Sequence, residues 1–229
     1  MRFIHAIWAA AAVALAPGLS GCDALGFGSW TWHQRLVLEV DTPRGFVSGG
    51  SVIAVRAGRG PKWLPGEGRG GMGTSVRGEA SFVEVAPGKY LFAVLHGNRE
   101  AELALVLFFP EPAPDTFERA RRLEDMRGIR EVPRERFPRL VTFDDINDPT
   151  TAREVDPADL AATFGSGVAL RSITLELTGE AVTRERIDRL LPWLRNYYGR
   201  KFDGQRYESI DSENRVANSL SAGNFDAEK

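Results

Sequence analysis

One cysteine, Cys22, is the chain's whole supply of thiol. A single thiol rules out any internal disulfide, so the fold rests on burial rather than on staples. Histidine is almost as scarce, at His5, His33 and His96. None stands at metal-ligand spacing from a second His or Cys, which argues against a zinc site. No serine sits in a G-x-S-x-G context, so the sequence has no nucleophile elbow. An excess of either charge is also missing: 29 Lys+Arg face 31 Asp+Glu, a formal balance of −2. The two signs are mixed along the chain, which leaves no electrostatic footprint for nucleic acid. There is no internal repeat. The longest apolar run, Phe3 to Ala16, is interrupted only by His5. As a helix it would span about 21 Å, short of the roughly 30 Å hydrocarbon core of a bilayer.

What stands at the start is an export signal in outline: Arg2, the apolar run, the helix breakers Pro17 and Gly18, then Leu19-Ser20-Gly21-Cys22. Those last four residues resemble the lipobox of bacterial lipoproteins. The resemblance implies that the Cys22 thiol is joined to diacylglycerol and that the chain is cut just before it. The new amine would then take a further acyl chain such as palmitate. It implies a protein anchored in the membrane by lipid and facing the periplasm. Asp23 resembles the inner-membrane retention signal of enteric lipoproteins. A rival cut stands at Ala14-Leu15-Ala16, where Pro17 would follow the scissile bond.

The composition, 43% hydrophobic with aromatics throughout, is that of a globular chain of one large or two small domains. Its pattern predicts an α+β fold: an N-terminal β-sandwich-like half, then a C-terminal half of mixed strands and short helices. The divisions are a signal peptide at 1–21, a β-rich sandwich-like region at 22–109, a Pro-rich linker and charged helix at 110–138, and an α/β-patterned region at 139–229. In "WTWHQRLVLEVD", Trp30, Trp32, Leu36, Leu38 and Val40 alternate with Thr31, His33, Arg35, Glu39 and Asp41, as in a half-buried strand. "TPRG" (Thr42 to Gly45) reads as a turn and "SVIAVRA" (Ser51 to Ala57) as a second strand. "EASFVEV" and "KYLFAVL" flank Pro87-Gly88, which suits a type II turn and predicts a hairpin. "ELALVLFF" (Glu102 to Phe109) is expected to be a further buried strand, although its periodicity also fits a helix. This rhythm of strands and turns, from Gln34 to Leu95, resembles transthyretin-like or immunoglobulin-like sandwich modules of exported proteins.

"PEPAPD" (Pro110 to Asp115) is a linker. A charged helix should follow, capped by Asp115, with Phe117, Ala120, Leu123 and Met126 on its buried stripe and Gly128 past its end. "RLVTF" (Arg139 to Phe143) and "VALRSITLELT" (Val168 to Thr178) read as strands. Between them, Asp156 as N-cap, Pro157 at the first position and Gly165 past the end predict a helix of about two turns. Thr183 should open another helix that carries Ile187, Leu190, Leu191 and Leu194, kinked or restarted at Pro192. The tail after Asp203-Gly204 is polar and expected to be irregular. The stretch from "LVTFDDINDPTT" to "LELTGEAVT", with the later "LPWL", resembles a family of uncharacterised proteobacterial proteins. That likeness reaches from about Trp32 onward and transfers no catalytic residue.

The densest polar group is "DDINDPTT". Asp144, Asp145, Asn147 and Asp148 offer oxygens of the kind calcium takes, while the competing reading is an Asx-rich turn. Paired carboxylates would suit acid–base hydrolysis, and any chain with 31 acids contains such pairs by chance. "GEGRGG" (Gly66 to Gly71) matches G-x-G-x-x-G without the strand and helix a dinucleotide loop needs. A glycine-rich surface loop, with Trp63 and Arg69 able to touch a partner, explains it better. His33 reads as a solvated residue on the polar face of its strand. Trp30 and Trp32 could stack on a sugar, but their phase with Leu36 and Leu38 favours the core. Whether the chain catalyses anything stays open. The expectation is a non-catalytic binding or scaffolding module for an unknown envelope protein or ligand. The alternative is an envelope hydrolase using carboxylates, with calcium as its one candidate cofactor.

Overall fold

The structure is a computed structural model that describes residues 28–60, 71–111 and 115–227. Cys22, Asp23, Trp63 and Arg69 lie outside the described residues. The fold is α+β with a sheet-rich N-terminal half. Among the described residues nine strands form two antiparallel sheets. The first sheet begins with β1 (Gly28–Thr42), the alternating strand of the Trp30 to Asp41 stretch. It turns through Pro43-Arg44 into β2 (Gly45–Arg59), and the two pair along their whole length, from Thr42↔Gly45 to Gly28↔Arg59. The edge strand β3 (Met72–Arg77) pairs with β2, and just ahead of it Gly60 N donates to Gly71 O at 2.9 Å.

The second sheet opens with β4 (Ser81–Ala86) and β5 (Lys89–Ala93), the hairpin expected around Pro87-Gly88. Gly88 has φ +71°, the left-handed value a type II turn needs at its second central position. "ELALVLFF" is then not a strand. It belongs to helix α1 (Asn98–Phe108), which buries Ala101, Ala104 and Leu105 at i, i+3, i+4 spacing. Glu102 to Leu107 is Glu, Ala and Leu, all good helix formers, apart from the β-branched Val106. The first turn of α1 is supplied by the residues ahead of that stretch, from Asn98.

Helix α2 (Thr116–Asp125) follows as expected. Asp115 accepts from Phe117 N at 2.8 Å and Glu118 N at 3.4 Å, and Ala120 and Leu123 are buried. Short strand β6 (Gly128–Glu131) joins the far edge of the first sheet. β7 (Leu140–Phe143) and β8 (Ala152–Glu154) complete the second, in the order β4-β5-β7-β8.

The predicted two-turn helix after Asp156 is shorter. Asp156 caps only a local turn, through Ala158 N at 2.8 Å, and Asp159 caps again, through Ala162 N at 3.0 Å. The second cap restarts the chain, so helix α3 covers only Ala161–Phe164, ending at Gly165 with φ +101°. Strand β9 (Ala169–Thr178) then returns to lie against β1, from Asp41↔Ala169 to His33↔Thr178. The first sheet therefore runs β3-β2-β1-β9-β6, with strands from both ends of the chain side by side.

Thr183 opens no helix. Its N–H donates to Val52 O and its hydroxyl accepts from Val52 N, both at 2.9 Å, so it pins the chain to β2. Helix α4 (Arg186–Leu190) begins after Glu185, whose φ is +63°. The chain restarts past Pro192 as expected, in a 3₁₀ turn, Leu194–Tyr197. Ile187, Leu191 and Leu194 are fully buried, and Leu190 is half-buried.

The polar tail is irregular apart from helix α5 (Arg215–Ser219) and one 3₁₀ turn, yet it closes the core. Phe225 packs within 5.4 Å of Phe92 and of Phe202, centroid to centroid. Its carbonyl takes Ala80 N at 2.8 Å. One continuous core joins both sheets, from Trp32, Leu38, Ile173 and Leu175 on the first to Leu91, Phe92, Leu140 and Phe143 on the second.

Candidate functional site

The inner face of β1 carries Trp32, Gln34, Leu36, Leu38 and Val40 in one row, and Gln34 is the polar member of it. Its β2 partner is Ile53, and the next residue on the same face of β2 is Ser51. Two polar groups thus stand in an apolar wall. Around them the layers part, and a cavity of about 130 Å³ opens. Its walls are Leu36, Ile53 and Leu175 from the first sheet, Ala93 to Leu95 from the end of β5, Arg99, Glu100, Glu102 and Leu103 from α1, and Glu135, Arg136, Pro138 and Arg139 from the stretch before β7. Glu79 and Ser81 line it beside Ser51.

Most polar groups of this wall are already engaged. Trp32 Nε1 donates to Gln34 Oε1 at 2.8 Å, and Gln34 Nε2 donates to Glu100 O at 3.0 Å. Ser51 Oγ donates to Ala80 O, and Ser81 Oγ donates to Leu36 O. Glu79, only 3% exposed, accepts from Arg186 N at 3.2 Å at the start of α4. Arg136 pairs with Glu102 at 3.7 Å, and Arg139 pairs with Glu154 at 3.0 Å while also donating to Ser219 Oγ. Glu100 differs. Its Oε1 accepts from His96 N at 2.7 Å, just ahead of α1, but its Oε2 is buried with no hydrogen-bond partner.

Burial pushes both cavity carboxyls above the usual carboxylate range. For Glu79 the loss of water is the largest cause, opposed by the Ile187 and Arg186 N–H groups and reinforced by Asp226 and Asp188. For Glu100 it is again the loss of water, opposed by the His96 N–H and by the Arg99 charge. A carboxyl whose folded pKa is raised binds its proton more tightly in the folded state. Its contribution to stability is therefore full below 4.5 and is lost as pH climbs through the raised value. Glu100→Gln removes one such group. Urea unfolding from pH 4.5 to neutrality is expected to show a shallower decline of stability in this variant than in the wild type. An unchanged slope would mean that Glu100 does not hold its proton more tightly on folding.

The residues singled out from sequence lie elsewhere. Asp144 pairs with Arg153 at 3.0 Å. Asp145 Oδ1 accepts from Asn147 N at 2.9 Å and from its Nδ2 at 3.2 Å. Asp148 Oδ1 accepts from Thr150 N at 2.9 Å and Thr150 Oγ1 at 2.7 Å, capping the turn that Pro149 begins. "DDINDPTT" is thus an Asx-rich turn in which one oxygen of each Asp is engaged by its own chain. Among the described residues, no three or more His, Cys, Asp or Glu side chains gather as they would to hold a metal. His33 Nδ1 donates to Glu180 O at 2.6 Å, on the outer face of the sheet. Trp32 is in the core, 1% exposed, and Trp30 packs on Phe117 with ring centroids 5.7 Å apart.

The sequence reading missed Gln34, Ser51, Glu79 and Glu100. One signal was there to find: a lone amide inside an otherwise apolar strand face must be answered by a polar partner. No protein family, curated protein or solved structure matches the chain.

Proposed function

We propose that this chain is a lipid-anchored protein of the bacterial cell envelope, facing the periplasm, and that it works as a non-catalytic module binding a small ligand. The anchor is Cys22, and Asp23 favours the inner membrane. The near-neutral charge argues against a nucleic-acid partner. The observation that carries the binding reading is the cavity between the sheets and α1, with an apolar wall and one buried carboxylate oxygen left unanswered. Concave apolar sites with few, placed polar groups are the usual form of small-molecule sites.

The test is native mass spectrometry of the protein released gently from membranes. The wild type should carry a small-molecule adduct. Leu103→Trp, which enlarges a lining side chain of α1, should lose it while staying folded. A wild type that never carries an adduct, with the variant indistinguishable from it, would end this reading.

A second reading is favoured by one fact: Glu79 and Glu100, both raised in pKa, line the same cavity. A carboxylate-dependent hydrolase would place an acid and a base there. Its adduct would be a cleaved fragment, whereas an intact adduct supports the binding module. Calcium held by Asp144, Asp145, Asn147 and Asp148 would belong to that second reading, and the binding module needs none.

A further inference from the structure

Resting on the binding reading of the cavity, we infer that its ligand is a compact primary amine, seated with its ammonium on Glu100 Oε2 and its hydrocarbon body against Leu36, Ile53 and Leu175. The argument turns on which polar group the protein leaves open. Deep in the wall, Gln34, Ser51 and Ser81 spend their donors on the chain itself, and Glu79 serves the start of α4. Glu100 Oε1 is taken by His96 N, whereas Oε2 is buried and unpartnered. Burial favours the proton on Glu100 when no ligand is bound, and a cation seated against Oε2 displaces that proton to solvent; the ionised carboxylate then only accepts, so the ligand donates. Leaving a buried charged oxygen unpaired is among the costlier defects a fold can carry.

Charge narrows the donor. An alcohol supplies a hydrogen bond and leaves the negative charge unbalanced. A carboxylate ligand is repelled. An ammonium supplies both the bond and the countercharge, and such charge-assisted bonds are roughly twice as strong as neutral ones. The chain's nearby guanidinium groups do not fill this role. Arg136 and Arg139 are held by Glu102 and Glu154. Arg99 stands exposed at the rim and makes no hydrogen bond to Oε2. Size narrows it further. The cavity, at about 130 Å³, is close to the engineered cavity of about 150 Å³ that admits benzene, so a single six-membered ring with one substituent is the scale of ligand.

The experiment titrates the full chain in detergent with three probes of one shape: cyclohexylamine, cyclohexanol and methylcyclohexane. Binding is read by calorimetry and by the shift of the melting temperature. Cyclohexylamine should bind at least tenfold more tightly than cyclohexanol, and Glu100→Gln should abolish that preference while retaining the alcohol. Equal binding of all three probes to the wild type overturns the amine assignment and leaves the cavity as a binding site. Binding of none overturns both. The comparison of probes on the wild type decides the matter even where Glu100→Gln folds poorly.

Discussion

Gly49→Ala is expected to cost this protein about 3 kcal/mol of stability, at the upper end of what overpacking does. Gly49 stands in β2 opposite Leu38, with β4 of the second sheet against it. A Cβ built there would lie 2.1 Å from the carbonyl oxygen of Phe82 and 3.0 Å from Val83 Cα. Both obstacles are backbone atoms of β4, so no rotamer change can relieve the clash. One sheet must move, and with it the packing of Val83 and Leu38. Stability totals of about 5–15 kcal/mol make such a loss a large share of the whole. Gly73→Ala is the control, because a Cβ at Gly73 in β3 meets nothing within 4 Å. Urea midpoints of the two variants measure the difference. Equal midpoints would mean that the sheets do not approach at Gly49.

Cys22→Ser should abolish lipid labelling outright and leave the precursor uncut after Gly21. A lipobox without its thiol has no acceptor for diacylglycerol. Each buried acyl CH₂ contributes about 0.8 kcal/mol, so one chain binds marginally and two or three hold firmly. Fractionation alone is a poor measure, since the uncut apolar leader would itself adhere to membranes. Mass spectrometry of the mature N-terminus is the decisive one. A tri-acylated cysteine is the expected end. An unmodified end at Pro17, or a free thiol at Cys22, would leave a plain secreted protein.

Much of the local structure was legible because it is written in short range. The alternation of Trp30 to Val40, the Pro87-Gly88 turn and the Asp115 cap each depend on a few neighbouring residues, and each forms as read. The misreadings come from competition between equally local signals. Asp156 and Asp159 both cap, and the later one sets the start of α3. Glu102 to Phe109 has both strand and helix readings, and burial of Ala101, Ala104 and Leu105 selects the helix. Thr183 has the hydroxyl of an N-cap but spends it on Val52. The cavity was out of reach for another reason. Gln34, Ser51, Glu79 and Glu100 meet only because β1, β2, α1 and the connection between β3 and β4 converge, and no spacing along the chain encodes that. "DDINDPTT" drew attention because its acids are adjacent, and adjacent acids serve their own turn.

The placement of β1 also governs how tension enters the molecule. The strand is bonded on one side to β2 from Gly28 to Thr42, and on the other to β9 from His33 to Asp41. Antiparallel hydrogen bonds run perpendicular to the strand axis. A pull transmitted from a tether at Cys22 reaches Gly28 and travels along that axis. It therefore loads both ladders in shear, with many bonds sharing the force at once, instead of peeling them open one at a time. The proposed anchor would thus join the domain at the strand with bonded neighbours on both sides, so that a pull on the tether does not unravel the fold from its point of attachment.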